Sequence, residues 1–99
     1  ALTVQIAAAE RVHAEGLAVL AAELAAARRA LEFLRRQVAT QRDLLARAER
    51  LGERGIVAEA ELLRYRLALA EAEKDQVIGE REIERLQREA RQREFERVQ

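Results

Sequence analysis

Cysteine, proline, methionine and tryptophan are all absent from this 99-residue chain, and glycine occurs only four times. Without cysteine and with a single histidine, the chain can form neither a disulfide framework nor a zinc finger. Aromatic residues make up only 3% of the sequence. A β-sandwich or an α/β enzyme needs more aromatic, β-branched and turn-forming residues than this. We therefore expect one small domain of another class.

Long apolar runs and an excess of one charge are also missing. No segment approaches the ~18 apolar residues that a membrane span requires, so we expect no direct membrane insertion. The 18 basic residues balance 18 acidic ones, whereas nucleic-acid or anionic-membrane binding favours a basic excess. We therefore expect no nucleic-acid partner. With neither an initiator methionine nor a signal-peptide pattern, we expect this chain to be a fragment of a longer protein.

The residues that are present are typical of long helices. Ala, Glu, Leu and Arg dominate the sequence, which is the composition of coiled coils. Helix-breaking residues cluster only at Gly52 and Gly55, and two glycines this close together mark a turn. The sequence predicts a first helix over about residues 3–52, a turn at about 53–56 and a second helix over about 57–97.

Apolar residues recur at alternating three- and four-residue spacing in both segments. In the first helix this stripe consists of Leu17, Leu20, Leu24, Ala27, Leu31, Leu34, Val38, Gln41, Leu45 and Ala48. In the second helix it consists of Leu62, Tyr65, Leu69, Ala72, Gln76, Gly79, Ile83, Leu86 and Ala90. Two heptad stripes of matched length around a short turn predict an all-α fold, an antiparallel coiled-coil hairpin that forms a single domain.

The register of the hairpin follows from folding the chain about Gly55. Leu31 then faces Gly79, and most layers combine a large residue with a small one, which fills the seam without overpacking. We interpret Gly79 as the residue that leaves room for Leu31. Gln41 and Gln76 are interpreted as polar seam positions that fix the register.

The seam weakens away from the turn. His13, Gly16 and Arg93 occupy or flank positions where a continuing core would need leucine. A two-helix hairpin buries apolar surface along one stripe only. We therefore expect oligomerisation or a larger parent domain to supply further stabilisation.

We find no catalytic constellation and expect no enzyme activity, no cofactor and no bound metal. His13 is interpreted as a surface or seam residue near a helix end, and Tyr65 as a seam layer near the turn. Carboxylates and arginines recur at salt-bridge spacing, as on a solvated helix face. Gly52 and Gly55 follow a helix and no strand precedes them, so they do not form a phosphate-binding loop.

Two groups of apolar residues exceed what the seam requires. The group near the turn consists of Leu44, Leu51, Ile56, Val57 and Leu63. Apolar residues at a hairpin tip indicate either a contact surface or local capping of the coiled-coil end. The second group, Leu63, Ala70 and Val77, repeats every seven residues along the second helix. We interpret it as a lateral packing seam between neighbouring hairpins, with a widened helix face as the alternative.

The turn and its flanks contain a spaced motif. Arg47 is followed by Leu51, then by the step Gly55-Ile56, and Ala58 precedes an acidic, alanine-rich second helix. This pattern resembles the hairpin tip of periplasmic adaptor proteins, the membrane fusion proteins of the haemolysin-secretion (HlyD) and drug-efflux (AcrA, EmrA) type. Those tips carry Arg, then Leu, then Ser at the position of Ala58. The resemblance covers essentially the whole chain.

The resemblance implies a location and a set of partners. In that family the hairpin projects through the periplasm of a Gram-negative bacterium from an adaptor bound to an inner-membrane transporter. Several hairpins pack into a tube, and their tips meet a TolC-like outer-membrane channel in a tripartite type I secretion or efflux system. By analogy, neighbouring copies would flank this hairpin. The residues that would contact the channel are Arg47, Leu51, Gly55, Ile56 and Ala58.

Ala58 departs from the family pattern. The family serine can cap the second helix, and an acidic residue three positions later completes a capping box. Glu61 is in place here, but Ala58 has no hydroxyl, and the loss of such a cap costs about 0.5–2 kcal/mol. The sequence therefore predicts a weaker helix start and no channel hydrogen bond from this side chain.

Two alternatives to an adaptor hairpin stay open. The tRNA-binding coiled-coil arm of seryl-tRNA synthetases has a similar length and shape, but it needs a basic stripe that the balanced charge does not provide. A purely structural oligomerisation hairpin is supported equally well by the heptads. Only the tip motif distinguishes it from an adaptor hairpin.

Overall fold

The structure, a computed structural model, describes residues 2–98. This part of the chain forms two helices and contains no strand. Helix α1 spans Leu2–Glu53 and α2 spans Glu59–Val98. The predicted all-α antiparallel hairpin is confirmed. Both helices run without interruption because their alanines, leucines, arginines and glutamates favour helix and no proline interrupts them. The observed connection is slightly displaced from the predicted one, since α1 ends one residue later and α2 begins two residues later.

The chain divides into two compact units, each containing a segment of both helices. Unit 1 comprises Ala1–Arg28 and Glu82–Gln99, and unit 2 comprises Arg29–Arg81, including the turn. Each unit has its own buried apolar residues. These are Leu20 and Leu86 in unit 1 and Leu31, Val38 and Ala48 in unit 2. All five belong to the heptad stripes, so the predicted periodicity identifies the buried face of both helices.

In unit 2 the predicted pairing of Leu31 with Gly79 is found. A Cβ atom added to Gly79 would lie 3.4 Å from Leu31 Cδ1, so these two residues are opposite each other as expected. The same atom would lie only 2.9 Å from Leu34 Cδ1. Gly79 therefore makes room for two leucines of α1, and Leu34, not Leu31, is the more closely packed of them.

The polar seam positions are half-buried and bond locally. Gln76 donates a hydrogen bond from Nε2 to Glu80 Oε1 at 3.1 Å, one turn further along α2. Gln41 is half-buried on α1. Since the amide of Gln76 is engaged within its own helix, any influence of these residues on the register stays a prediction.

In unit 1 polar side chains replace the apolar seam beyond Leu20 and Leu86, on the side away from the turn, as the weakening periodicity predicts. Gly16 lies opposite Arg93, because a Cβ atom at Gly16 would be 2.8 Å from Arg93 Nη1. His13 Nε2 lies 3.9 Å from Glu94 Oε1 and has no hydrogen-bond partner among the described residues. The long arginine side chain thus covers the helix where a leucine would continue the core.

Within unit 1, α2 carries a chain of ion pairs along one face. Arg85 Nη2 lies 2.7 Å from Glu82 Oε1, and Arg85 Nη1 lies 3.3 Å from Glu89 Oε2. Arg93 Nη2 continues the series at 3.3 Å from Glu89 Oε1. The hydrogen bonds and charge of Arg85 lower the pKa of Glu82 below its ordinary value. These pairs follow from three- and four-residue spacing, and their exposure keeps each contribution to stability small.

Candidate functional site

The turn at the end of α1 is a Schellman motif. Gly55 has a φ of +74°, a left-handed conformation that glycine adopts at low cost. The Gly55 N–H donates to the Gly52 carbonyl at 3.0 Å, and the Ile56 N–H donates to the Leu51 carbonyl at 2.9 Å. These two bonds satisfy carbonyls that the last helical turn leaves unpaired. Backbone groups alone therefore set the direction of the turn.

Gly52 has a different role from Gly55, although the sequence pattern predicts that both lie in the turn. It lies inside α1, where an added Cβ atom would be 3.0 Å from Leu62 Cδ1. The missing side chain allows Leu62, in the first turns of α2, to pack closely against α1. Gly52 therefore closes the seam beside the turn, and Gly55 alone provides the left-handed conformation.

Ala58 is the N-cap residue of α2, the position predicted from the motif. Its carbonyl accepts hydrogen bonds from the N–H groups of Glu61 at 3.0 Å and Leu62 at 3.1 Å. Glu59 and Glu61 place negative charge in the first turn, where it interacts favourably with the helix dipole. Acidic residues thus compensate in part for the missing capping hydroxyl.

The predicted tip residues are exposed around this turn. Arg47 and Leu51 lie one turn apart on the last turns of α1, and Leu51 is 37% exposed. Gly55, Ile56 and Ala58 lie in the connection, and Ile56 is 66% exposed. The Schellman turn therefore does not bury Ile56, which is available for contact. That these five residues bind a partner stays a prediction.

Arg47 and Leu51 share their surface with two arginines that the sequence analysis missed. Arg47, Arg50, Leu51 and Arg54 line an open cavity of about 370 Å³, and we call this surface the arginine face. All three arginines are exposed. Among the described side chains, no carboxylate lies within 4.0 Å of any of them. Their three- and four-residue spacing around Leu51 was the available sequence signal.

A second surface near the turn carries the opposite charge. Glu49, Glu53 and Glu59 line another open cavity of about 350 Å³, together with Gly52, Leu62 and Arg66. We call the surface of these three glutamates the glutamate face. All three are exposed, and none forms an ion pair with a described side chain. Charges that are interspersed in the sequence are therefore partly sorted at the tip, although Arg66 also lines the acidic cavity.

The predicted lateral seam is exposed along α2 in unit 2. Leu63 is 54% exposed, and Ala70 and Val77 are also exposed. Leu67 and Ile78 widen this stripe and were not predicted, and Leu67 is 61% exposed. A further open cavity of about 320 Å³ is lined by Leu63 together with Glu59, Ala60 and Arg66. The apolar stripe therefore continues directly from the glutamate face.

Within residues 2–98, neither helix contains a segment apolar and long enough to cross a bilayer. The same residues include no group of three or more His, Cys, Asp or Glu side chains placed to hold a metal ion.

No family model, curated protein or solved structure matches this chain.

Proposed function

We propose that the chain is the hairpin of a periplasmic adaptor protein in a tripartite type I secretion or efflux system. In this role it would link an inner-membrane transporter to a TolC-like outer-membrane channel. The observation that supports the proposal most directly is the tip. Arg47 and Leu51 are exposed one turn apart, the Schellman turn at Gly55 follows, and α2 begins after Ala58.

The tip has the chemistry for a contact with helix ends of a channel. The guanidinium of Arg47 has five N–H donors that can bond the unpaired carbonyls of a helix terminus. Leu51 and Ile56 would add a small apolar contact. Such a contact is weak for one hairpin, and a ring of hairpins would strengthen it by binding several sites at once.

A purely structural oligomerisation hairpin is the second candidate. The exposed apolar residues Leu63, Leu67 and Val77 favour it, because an apolar stripe along α2 would support lateral packing without any channel. The two candidates differ at the tip, since only the adaptor requires a contact made by Arg47.

Channel binding by an Arg47→Asp variant separates these candidates. We would attach the 99-residue chain to a sensor surface at high density, because each contact is weak, and pass a purified TolC-like channel over it. Wild type should bind, and Arg47→Asp should abolish binding while circular dichroism shows unchanged helicity. Arg35→Asp is the matched control, a substitution at an exposed position about 18 Å from Arg47 along α1. It should bind normally. Equal binding of wild type and Arg47→Asp, or no binding of wild type, would reject the adaptor role.

The parent sequence provides an independent test. Adaptors of this kind interrupt a lipoyl-like β domain with the hairpin, so the two halves of such a domain should flank the chain. Flanks that encode a synthetase or a filament protein would contradict the proposal.

A further inference from the structure

The charges at the tip lie on opposite sides of the hairpin. Ala48 is buried against α2, and Gly52 is packed against Leu62, so both residues mark the inward direction of α1. Successive residues of a helix are rotated by about 100°. Arg47 and Leu51, each one residue before an inward position, therefore point to one side. Glu49 and Glu53, each one residue after, point to the other side.

Helix α2 extends the acidic side. Glu59 shares a cavity with Glu49 and Glu53, and it shares another cavity with Leu63. The glutamate face and the start of the apolar stripe thus form one surface. The arginine face, with its exposed Leu51, forms the other surface. The arginine face therefore combines basic side chains with apolar area. The opposite surface combines three glutamates with apolar area and includes one arginine, Arg66, so its charge is acidic on balance.

The two faces also lie at the same height along the hairpin. Arg50 and Arg54 alternate with Glu49 and Glu53 within residues 49–54, the end of α1 and the first residue of the turn. This short stretch rises by less than ~10 Å. When copies are related by rotation about an axis parallel to the helices, each residue meets residues of its own height. A ring contact of this kind joins two different surfaces of the subunit, and those surfaces must be complementary.

The geometry points to a head-to-tail contact between copies of this chain, in which the arginine face of one copy packs against the glutamate face of the next. Arg50 and Arg54 pair with Glu49 and Glu53 of the neighbouring copy. Leu51 adds an apolar contact to these pairs. Arg47, which is assigned no pair in this contact, is left for the channel of the proposed function. This inference rests on the proposed function for one point, that neighbouring hairpins are parallel with their tips level.

Two charge-reversed variants test this contact. Arg50→Glu combined with Arg54→Glu makes both faces negative, and Glu49→Arg combined with Glu53→Arg makes both faces positive. Sedimentation equilibrium at low salt should show self-association of wild type that weakens as salt screens the charges. We expect each variant to associate at least about tenfold more weakly than wild type, because like charges then face each other. An equimolar mixture of the two variants should recover association, since every contact is again between opposite charges.

A third variant controls for general attraction between oppositely charged proteins. Arg35→Glu combined with Arg36→Glu changes the net charge by the same amount at exposed positions roughly 20 Å from the tip. It should self-associate like wild type, and adding it to the positive variant should not restore the lost association. Circular dichroism of every variant should show unchanged helicity.

Several results would overturn the inference. These are a wild-type chain that stays monomeric at about 1 mM in low salt, a reversed variant that associates as well as wild type, or a mixture that recovers nothing. Recovery with the control variant would also overturn it. The adaptor role is judged separately, by the binding of Arg47→Asp to a channel. If the charge variants associate as expected but the wild-type chain does not bind a channel, the contact between copies is retained and the adaptor role is rejected.

Discussion

At the scale of single residues, the glycines of the hairpin meet different steric demands. Gly55 has a left-handed backbone with nothing within 4 Å of the place where a Cβ atom would lie. Gly79 makes room for leucine side chains of the seam, and Gly16 makes room for the mobile end of an arginine. The consequences of adding a methyl group therefore differ among positions that look alike in the sequence.

Replacement of Gly55 by alanine tests the cost of the left-handed backbone conformation alone. Because the site has open space, the only cost is the left-handed conformation, about 1–2 kcal/mol for a residue with a Cβ atom. We expect urea denaturation to show a loss of unfolding free energy of this size. Gly55→Asn should lose less, since asparagine tolerates this conformation better. Equal stability of wild type and Gly55→Ala would contradict the positive φ.

Gly16→Ala and Gly79→Ala should change the unfolding free energy by different amounts or in opposite directions. Both gain about 1 kcal/mol from the better helix propensity of alanine. At Gly16 the terminal guanidinium of Arg93 can move into solvent. At Gly79 the methyl group meets Leu34 within the seam, and overpacking costs about 1–3 kcal/mol. We expect Gly79→Ala to be about 1–2 kcal/mol less stable than Gly16→Ala.

The Leu34→Ala background provides the control for this comparison. Removing the leucine side chain should eliminate most of the difference between the two glycine variants, because the close contact is gone. A difference that persists in that background would place the strain elsewhere.

Ala58→Ser adds the hydroxyl that the N-cap position lacks. The Ala58 carbonyl already accepts the first hydrogen bonds of α2, so a serine there is placed to cap the exposed N–H groups. We expect a gain of about 0.5–2 kcal/mol in unfolding free energy. Ala60→Ser, inside the first turn of α2, is the comparison and should bring no such gain. An unchanged or lower melting temperature for Ala58→Ser would contradict the assigned cap.

At the scale of helices, the ion pairs of α2 follow from the three- and four-residue spacing of its charged residues. They can be detected by titrating the carboxyl groups involved. Arg85 binds Glu82 through two of its nitrogens, Nη2 at 2.7 Å and Nε at 3.1 Å. It also lies between Glu82 and Glu89. The heptad interpretation accounts for which face of α2 is buried. It does not indicate which of many possible pairs form on the exposed face, because several arginines and glutamates have suitable spacing there.

The pKa of Glu82 should report this pairing. Hydrogen bonding to Arg85 lowers it, so the stabilisation is present above the pKa of Glu82 in the unfolded chain and is lost as pH falls through the lowered value. Carboxyl NMR titration should give Glu82 a lower pKa than an unpaired glutamate. Arg85→Gln should raise that pKa, whereas Arg88→Gln, nearby on α2, should leave it unchanged. A Glu82 titration that is the same in wild type and Arg85→Gln would show that the pair does not persist in solution.

At the scale of the whole molecule, a two-helix hairpin has little interior. The buried residues of the described chain are Leu20, Leu31, Val38, Ala48 and Leu86. A core of this size leaves a hairpin only marginally stable by itself. Because association stabilises the folded state by mass action, we expect the melting temperature followed by circular dichroism to rise with protein concentration. A melting temperature that is independent of concentration would indicate a monomer that is stable alone.

Much of this architecture could be predicted from the sequence. Heptad spacing indicates the two helices and the pairing of Leu31 with Gly79, and Gly55 marks the turn. The separation of charge at the tip could not. Arginines and glutamates alternate along residues 47–59, and their sorting to opposite sides depends on the inward positions of Ala48 and Gly52. The exposure of Leu67 was also missed, because it lies outside the heptad stripe used to define the lateral seam.

The Schellman turn makes the backbone shape of the tip independent of most of its side chains. Its direction depends on two backbone hydrogen bonds and one glycine, so the side chains at positions 54, 56 and 57 are not needed to form it. Substitutions there would change the chemistry of the exposed tip without altering the turn that presents it. Under the proposed function, partner preference could therefore change at these positions while the fold is kept, and the same positions suit the grafting of new recognition residues.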